Sequence, residues 1–422
     1  MTASPTATSG TLDAHDLPRD VASRWPDLAA VPGSPLRSAA AEALFRHAVK
    51  KLPVTVRYPD GSQIGAGGAT SPQMRLRQPA RFFGRVGSRG KVGFGESYMA
   101  AEWTCEDLAG FLTAFAAEPA AVVPLALQRA GRRLVALRRP HDEDNDLAGA
   151  RSNISRHYDL SNDLFAAFLD ETMTYSSALF GPGDDLAAAQ RRKIDAVLDA
   201  AGVTAGTTVV EIGTGWGQLA IQAATRGARI TTVTLSEEQA RLARERALEA
   251  GVGDRIDIEL RDYRQVTGTY DAVVSVEMIE AVGRRHWPTY FGTLDRLLKP
   301  GGSVGLQAIT MPHHGMLAMD AQQTWITKYI FPGGIIPSVR AIEQHVRDHT
   351  GLRIAARRSF GQDYARTLAS WRERFLARQD EVAALGFDEA FRRMWEFYLA
   401  YCEAGFRGDY LDVHQFSLHQ RG

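Results

Sequence analysis

Short apolar runs alternate with longer amphipathic segments in the second part of the chain, from His157 onward. Short runs rich in Val and Ile predict strands, and the segments between them have helical periodicity. The predicted strands cover residues 207–212, 229–235, 255–261, 270–276 and 303–309, and the run YLDVHQFSLHQ predicts a late strand at the sheet edge. This alternation predicts an α/β fold with a parallel sheet and helices on both faces.

The first part of the chain has a different pattern. In LPVTVRYPDGSQIG, two strand-like runs flank Asp60-Gly61, a dipeptide typical of hairpin turns. We therefore predict a smaller α+β domain over residues 35–139, a polar linker over 140–154 and the larger α/β domain over 155–422. Residues 1–34 begin with a segment rich in Ser, Thr and Ala that has no apolar core, and they are predicted to form a disordered tail.

Composition narrows the class of protein. The 49 basic residues balance 49 acidic ones, so no bulk charge draws the chain to nucleic acid. Cys105 and Cys402 lie far apart in the sequence, which fits a reducing cytoplasm. The most apolar window, residues 108–127, contains Glu and Pro and makes a poor membrane span. His313 and His314 are adjacent but lack acidic or Cys partners, and we predict no metal.

Three glycines, Gly213, Gly215 and Gly217, follow the first predicted strand in VVEIGTGWGQLA. Glycines there allow a sharp turn and let the backbone approach a ligand closely. A P-loop needs G-x-x-x-x-G-K-[ST], and a dinucleotide site needs G-x-G-x-x-G with an acid after the next strand; both are missing here. The pattern E-x-G-x-G-x-G, with Glu211 as the acid, is typical of the S-adenosylmethionine (SAM) loop of methyltransferases. A plain strand–helix turn is the alternative.

Two later features fit a SAM site without requiring it. Ser236 and Gln239 have the spacing of a capping box at the start of the helical segment EEQARLARERALEA. Asp262 follows the third predicted strand, where it can accept a hydrogen bond from an adenine amine. The alternative is an ordinary Asp at a strand end.

Eight motifs occur in order along the chain: RHYDLSNDLFAAFLD, TMTYSSALF, EIGTGWGQLA, TLSEEQ, IEAVG, IFPGGIIPS, DYARTLASW and FRGDYLDVHQF. Together they resemble the cyclopropane-fatty-acyl-phospholipid synthase family, which includes the mycolic acid methyltransferases. The stretch KVGFGESYMAAEW is similar to that family's smaller N-terminal domain. The resemblance implies a class I, Rossmann-like methyltransferase with a mostly parallel seven-stranded sheet. It also implies that SAM methylates a cis double bond in a fatty acyl chain of phospholipid.

The resemblance further implies which residues contact the cofactor. By position these are Tyr175, Ser176, Gly213, Gly215, Thr234, Leu235 and Gln239, with Tyr263 beside Asp262 near the adenine. Methylation of an alkene produces a carbocation, which aromatic faces can stabilise while water is excluded. The candidate aromatic residues are Tyr158, Tyr175, Trp325 and Tyr364, and plain core packing is the alternative for each.

A base must then remove a proton. The resemblance implies a bicarbonate ion held by Glu280, Tyr364, the main chain at Ile309, the main chain at a Cys, and a His. Here Ser177 stands at the Cys position and Gln307 at the His position. The main-chain contact survives the first change, but an amide cannot titrate as an imidazole does. These departures argue against bound bicarbonate.

Glu277 lies one turn before Glu280 if SVEMIEAVG is helical. Paired carboxylates can raise one pKa and would supply a protein base in place of the anion. The alternative is that Glu277 ends its strand and bonds the cofactor or the backbone.

The route of deprotonation decides the product. Loss of a methyl proton with ring closure gives a cyclopropane. A hydride shift between the former alkene carbons, followed by loss of a methyl proton, gives an exocyclic methylene. Ala281 also follows Glu280 where the family commonly has His. Because of the departures at Ser177, Gln307 and Ala281, we predict the 10-methylene chain of the family's tuberculostearate branch, which a separate reductase would complete. The cyclopropane is the alternative.

Two basic segments predict contact with lipid. Residues 74–91 carry six basic residues and no acid around Phe82 and Phe83, and residues 129–139 carry five more. Each basic residue near an anionic surface gains about 1 kcal/mol, and aromatic side chains can enter the interface. We predict a cytoplasmic protein on the inner face of the membrane that does not bind nucleic acid. Whether it forms a homo-oligomer is left open.

Two rival functions would use the same fold. One is methylation of nitrogen or oxygen in a small metabolite, and the motif IFPGGIIPS argues against it. The other is non-catalytic lipid binding. Retention of Glu280, Tyr364 and the glycine loop argues against that reading.

Overall fold

The computed structural model describes residues 23–31, 34–117 and 161–421. The predicted linker, the basic segment 129–139 and Tyr158 lie outside these residues. The strands are β1 Thr55–Arg57, β2 Gln63–Ile64, β3 Gln73–Leu76, β4 Trp103–Cys105, β5 Thr208–Ile212, β6 Arg229–Thr234, β7 Ile256–Leu260, β8 Tyr270–Val276, β9 Leu298–Thr310, β10 Leu352–Ser359 and β11 Asp412–Gln420.

Helices of very different lengths connect and cover these strands. They are α1 Pro26–Ala29, α2 Pro35–Val49, α3 Pro79–Met99, α4 Leu108–Ala117, α5 Asn162–Phe168, α6 Leu186–Ala200, α7 Gln218–Thr225, α8 Glu237–Glu249, α9 Ile279–Val282, α10 Trp287–Arg296, α11 His313–Asp320, α12 Trp325–Tyr329, α13 Val339–His349, α14 Gly361–Ala377, α15 Gln379–Ala384 and α16 Glu389–Arg407. Short 3-10 turns occur at Gly253–Arg255, Tyr263–Gln265 and Arg284–His286.

Seven strands form the larger sheet, in the order β10-β11-β9-β8-β5-β6-β7. From β9 to β7 all neighbours are parallel, and β11 runs antiparallel between β9 and β10. The order reverses at β5, which pairs with β6 on one side and with β8 on the other. Open α/β sheets bind ligands at the carboxyl ends of strands beside such a reversal. The predicted α/β fold is confirmed.

Two details of this sheet correct the predictions. The C-terminal strand β11 lies inside the sheet, between β9 and β10, and not at its edge. The edge strand β10 was missed, because most of its side chains are exposed and its sequence LRIAARRS lacks an apolar alternation. The five strands predicted upstream are all present, and β9 begins five residues earlier than expected, at Leu298 rather than 303.

A second sheet of four strands forms in the N-terminal part, in the order β2-β1-β3-β4. Strands β1 and β2 pair as the predicted hairpin, and Gly61 has the left-handed φ of 85° in its turn. Helices α3 and α4 pack on α16 of the C-terminal part. For example, the rings of Phe94 and Tyr98 lie 6.2 and 5.6 Å from the ring of Phe397. One hydrophobic core therefore joins the two parts.

Part of the predicted disordered tail is packed against the rest of the protein, so that prediction was wrong there. Leu28 of α1 is fully buried. The Trp25 indole donates to the carboxylate of Asp388 at 3.0 Å. Apolar residues inside a polar segment were the signal that the sequence reading passed over.

The basic segment 74–91 has buried and exposed side chains: Phe82, Phe83 and Arg85 face inward, whereas Arg75 and Arg77 are exposed. Phe82 and Phe83 are 0% and 2% exposed, so they belong to the core and cannot enter a lipid interface. Arg85 is fully buried and donates to Glu102 at 2.8 Å and to main-chain carbonyls of α1. The prediction that these two aromatic side chains enter a lipid interface was therefore wrong, whereas contact of the exposed basic side chains with lipid stays a prediction. Within the described ranges, no helix is both long enough and apolar enough to cross a bilayer.

We predict that Arg85→Met destabilises the protein, because Glu102 and the carbonyls of α1 would lose a buried partner. The expected decrease in the free energy of unfolding is about 3 kcal/mol, measured by urea denaturation. Arg75→Met is the matched control, because Arg75 and its partner Glu106 are 60% and 90% exposed. Its expected effect is below about 0.5 kcal/mol. Equal stability of the two variants would contradict the structural role of Arg85.

Candidate active site

A cavity lies at the carboxyl ends of β5, β6 and β8, beside the reversal of strand order. Its walls come from the glycine loop, from the turns after β6 and β7, and from the segment before α6. Ten of the twelve predicted cofactor residues line it: Tyr175, Ser176, Glu211, Gly213, Gly215, Thr234, Leu235, Gln239, Asp262 and Tyr263. Residues far apart in the sequence thus meet around one space.

Gly217 and Ser236 do not line the cavity. Gly217 precedes α7 with a φ of 87°, and a Cβ there would lie 2.9 Å from the Cβ of Ala243. The Ser236 hydroxyl accepts a hydrogen bond from the Gln239 N–H at 3.3 Å, so Ser236 is the N-cap of α8. Gly217 therefore allows close helix packing, and Ser236 starts a helix.

The rest of the glycine loop forms the floor of the cavity. Gly213 has a φ of 99° and Gly215 a φ of 51°, both in the left-handed region. A Cβ on Gly213 would lie 2.6 Å from the Met278 side chain. Both the turn and the close contact therefore require glycine at this position.

Two of the acidic residues that line the cavity, Glu211 and Asp262, belong to the predicted cofactor site. Glu211 is buried and accepts a hydrogen bond from the Thr232 hydroxyl at 2.6 Å. Burial raises the pKa of Glu211 to about 8, against the opposing effects of Thr232 and Lys193. The positive charge of bound SAM would favour its ionised form. Asp262 accepts hydrogen bonds from the main chain and guanidinium of Arg264.

Glu277 is the first residue after β8, in the turn that leads to the next helix. It has a left-handed φ of 51° and precedes the short helix that carries Glu280. The assumption of helical spacing between these two residues was therefore wrong. Glu277 does follow the end of its strand and accept a hydrogen bond from the backbone, as the alternative has it, and its role as a base stays a prediction.

The carboxylate of Glu277 accepts three hydrogen bonds. Oε1 accepts from the Ser177 main-chain N–H at 2.9 Å and from Gln307 Nε2 at 2.8 Å. Oε2 accepts from the Tyr364 hydroxyl at 3.0 Å. Burial raises the pKa of Tyr364 well above its ordinary value, so this hydroxyl stays a donor. Three of the residues predicted to hold bicarbonate thus contact one side chain.

The other two residues of that predicted set contact each other. The Ile309 main-chain N–H donates to Glu280 Oε1, and Glu280 Oε2 has no partner in the described part of the chain. Burial, reinforced by the charge of Glu277, raises the pKa of Glu280 to about 8. Burial also raises the pKa of Glu277, but Lys193 and three hydrogen bonds oppose that effect. Negative charge is therefore better stabilised on Glu277.

Two residues of the site were missed in the sequence. Lys193 of α6 lines the cavity, is 1% exposed and donates to the Ser176 hydroxyl. Burial lowers the pKa of Lys193 to about 8. Gln415 of β11 donates to the Lys193 main-chain carbonyl and to Gln307 Oε1, both at 3.0 Å. A carbonyl only accepts, so both amides are oriented and Gln307 presents its N–H groups to Glu277.

A sequence signal existed for Lys193 but not for Gln415. Lys193 falls on the buried face of α6, with Gln190, Ile194 and Val197. A cation on an apolar helix face is unusual and marks a buried partner. Gln415 lies in a strand whose neighbours were unknown from the sequence.

The aromatic residues predicted to surround the carbocation do not all lie at the cavity. Tyr175 lines the cavity, and its hydroxyl is 2.7 Å from the hydroxyl of Tyr398. Trp325 does not line the cavity. Its ring lies 4.8 Å from the ring of Phe397 and packs on Gly95, so it belongs to the junction of α3 and α16. No cluster of metal-ligating side chains occurs among residues 23–31, 34–117 and 161–421.

The sheet order, the glycine loop and the cavity at the strand ends define a class I, SAM-dependent methyltransferase. Residues 145–416 match the model of one family of such enzymes, mycolic acid cyclopropane synthetase. The chain belongs to this family. It is an enzyme, a SAM-dependent lipid methyltransferase.

Individual relatives agree with this assignment. The chain is 54% identical over 410 residues to tuberculostearic acid methyltransferase UfaA1 of Mycobacterium tuberculosis, covering 94% of this chain and 96% of that protein. It is 36% identical over 367 residues to the cyclopropane-fatty-acyl-phospholipid synthase of Escherichia coli K12, covering 83% and 89%. The structure of mycolic acid cyclopropane synthase CmaA1 complexed with SAH and CTAB has a TM-score of 0.60 at 29% identity, covering 67% of this chain and 99% of that one. The predicted family, fold and cofactor are confirmed.

We predict that Gly213→Ala weakens SAM binding by more than about tenfold, because the new Cβ would push Met278 into the cavity. Isothermal titration calorimetry with SAM measures the effect. Gly183→Ala is the matched control, since Gly183 has a φ of 77° but nothing within 4 Å of the added Cβ. Both variants carry backbone strain, and only the first should lose affinity. Equal affinities would remove Gly213 from the cofactor site.

The raised pKa of Glu280 predicts a pH-dependent stability. The pKa is about 8 in the folded protein against an ordinary 4.5. The folded state therefore binds more protons between these values, and stability falls as the pH rises through them, by about 1 kcal/mol per pH unit from this group. Glu280→Gln removes the titration, so its urea midpoint should fall less than that of the wild type between about pH 5 and pH 8. Parallel curves would contradict a neutral Glu280.

Proposed function

We propose that this enzyme transfers the methyl group of SAM to a cis double bond in an unsaturated acyl chain of a phospholipid. The product would carry a 10-methylene group, the precursor of 10-methyl-stearate. The observation that carries this proposal is the shielded carboxylate of Glu277 at the cofactor cavity, held by Tyr364 and Gln307. The name of the 54% identical relative, a tuberculostearic acid methyltransferase, supports a methyl-branched end product.

The proposed reaction has three bond-making events. The alkene attacks the sulfonium methyl group, so a C–C bond forms, the C–S bond breaks and S-adenosylhomocysteine leaves. A hydride then shifts to the neighbouring cationic carbon, which places the charge on the carbon that carries the new methyl group. Loss of a methyl proton leaves its electron pair as the exocyclic double bond.

Burial of the site supports a carbocation route. Ser177 and Gln307 are 0% exposed, and Tyr364 is 6% exposed. Water at this place would add to the cation, so its exclusion protects the intermediate. Methylation of a nitrogen or oxygen in a small metabolite does not need a dry base for a carbon-bound proton.

The proposed product implies two partners. Conversion of a methylene to a methyl branch needs two electrons and two protons, which methyl transfer does not supply, so we propose that a separate reductase acts next. The acyl chains of phospholipids lie in a bilayer, so we propose that the enzyme meets a membrane surface. The buried Phe82 and Phe83 give no support to that contact, and its candidates are the exposed basic residues Arg75 and Arg77 and the basic sequence of residues 129–139.

The test is proton NMR of lipid recovered from dioleoyl phospholipid vesicles after incubation with the enzyme and SAM. We expect vinylidene proton signals, together with one S-adenosylhomocysteine per lipid methylated. Distearoyl vesicles, which have no double bond, are the control and should give neither. Upfield cyclopropane signals would contradict the methylene product, and transfer only to small amines would contradict the lipid substrate.

A further inference from the structure

We propose that Glu277 is the catalytic base, whose carboxylate takes the place of a bound bicarbonate and accepts the proton that the methylated acyl chain loses. This inference rests on the proposed function, because such a base is needed only where a carbon-bound proton leaves. With Glu277 as the base, the enzyme would not need bicarbonate.

Glu277 is a carboxylate that lies at the cofactor cavity. Glu277 lines the cofactor cavity together with its neighbour Met278, whereas Glu280 does not line it. Of the two carboxylates in SVEMIEAVG, Glu277 alone therefore faces the space in which the cofactor binds. Glu280 lies behind it, hydrogen-bonded to the main chain of Ile309.

The hydrogen-bond donors around Glu277 are already used. The Ser177 N–H and the Tyr364 hydroxyl each have one proton to donate, and each donates it to Glu277. Gln307 Nε2 has two, which go to Glu277 and to the Ser177 carbonyl. A carboxylate and a bicarbonate ion share the same planar pair of oxygens. The side chain therefore supplies covalently the group that these donors would otherwise hold as a free ion.

The carboxylate also has an open position for a proton. A carboxylate oxygen can accept about two hydrogen bonds. Oε1 accepts two, from Ser177 and Gln307, but Oε2 accepts one, from Tyr364. In the proposed step a methyl C–H bond breaks, its electrons form the double bond to the cationic carbon, and the proton goes to Oε2.

Backbone conformation and charge agree with this role. Glu277 has a φ of 51°, a left-handed conformation that glycine adopts freely and a glutamate adopts only with strain. Strain at a functional site is maintained by the surrounding contacts. The buried ammonium group of Lys193 supplies the compensating positive charge for an ionised carboxylate.

Glu277→Gly is the decisive variant. It removes the carboxylate, suits the left-handed backbone and leaves an open space with three free donors. We expect turnover to fall by at least about 100-fold and to recover in part when bicarbonate or formate is added. Glu277→Gln is the matched control, because its amide still fills the space and cannot act as a base. It should show the same loss without recovery.

Calorimetry with SAM establishes that each variant has kept its fold and cofactor site. The wild type is assayed in parallel in buffer freed of carbon dioxide, and its rate should not change. A wild-type rate that falls without bicarbonate, or a Gly variant that binds SAM but is not rescued by either anion, would overturn the inference while methylated lipid still forms. A wild type that methylates no lipid would overturn the proposed function instead.

Discussion

One buried carboxylate organises the site. An ionised group removed from water costs several kcal/mol unless it is fully hydrogen-bonded or paired. Glu277 meets this requirement with donors from three directions: the loop at Ser177, strand β9 through Gln307 and helix α14 through Tyr364. The strands and helices that carry these donors must therefore pack in one arrangement for the charge to be stable.

The need to hydrogen-bond Glu277 also constrains residues that do not contact it. Gln307 presents its N–H groups because Gln415 occupies its carbonyl oxygen, and Gln415 is oriented by the main chain of Lys193. Strand β11 therefore acts on the site through a position inside the sheet. The pairing of β11 with β9 places Gln415 directly opposite Gln307. The antiparallel insertion of the last strand is thus part of the chemistry as well as of the fold.

Two glutamates three positions apart have different surroundings, and these favour negative charge on Glu277 over Glu280. Glu277 has three donors and a nearby cation, whereas Glu280 has only main-chain donors and an adjacent negative charge. Pairs of groups whose environments separate their pKa values commonly divide the acid and base roles of an active site.

In the N-terminal part, buried charges serve packing instead. Glu96 is fully buried and binds Lys328 and Tyr329 of α12, which joins the two parts of the protein.

The sequence by itself determined the α/β class and the glycine loop, because periodicity and loop motifs are local properties of the chain. Other cavity-lining residues, such as Tyr175 and Thr234, were implied by the resemblance to a known family. It also brought Glu277 forward as a candidate base. Only the tertiary structure decided that Glu277 meets Ser177 and Tyr364, which are 100 and 87 positions away. The inward orientation of Phe82 and Phe83 was likewise a tertiary outcome. A basic, aromatic segment has the same local pattern at a surface and in a core, and only packing against α16 and the buried acids distinguishes the two.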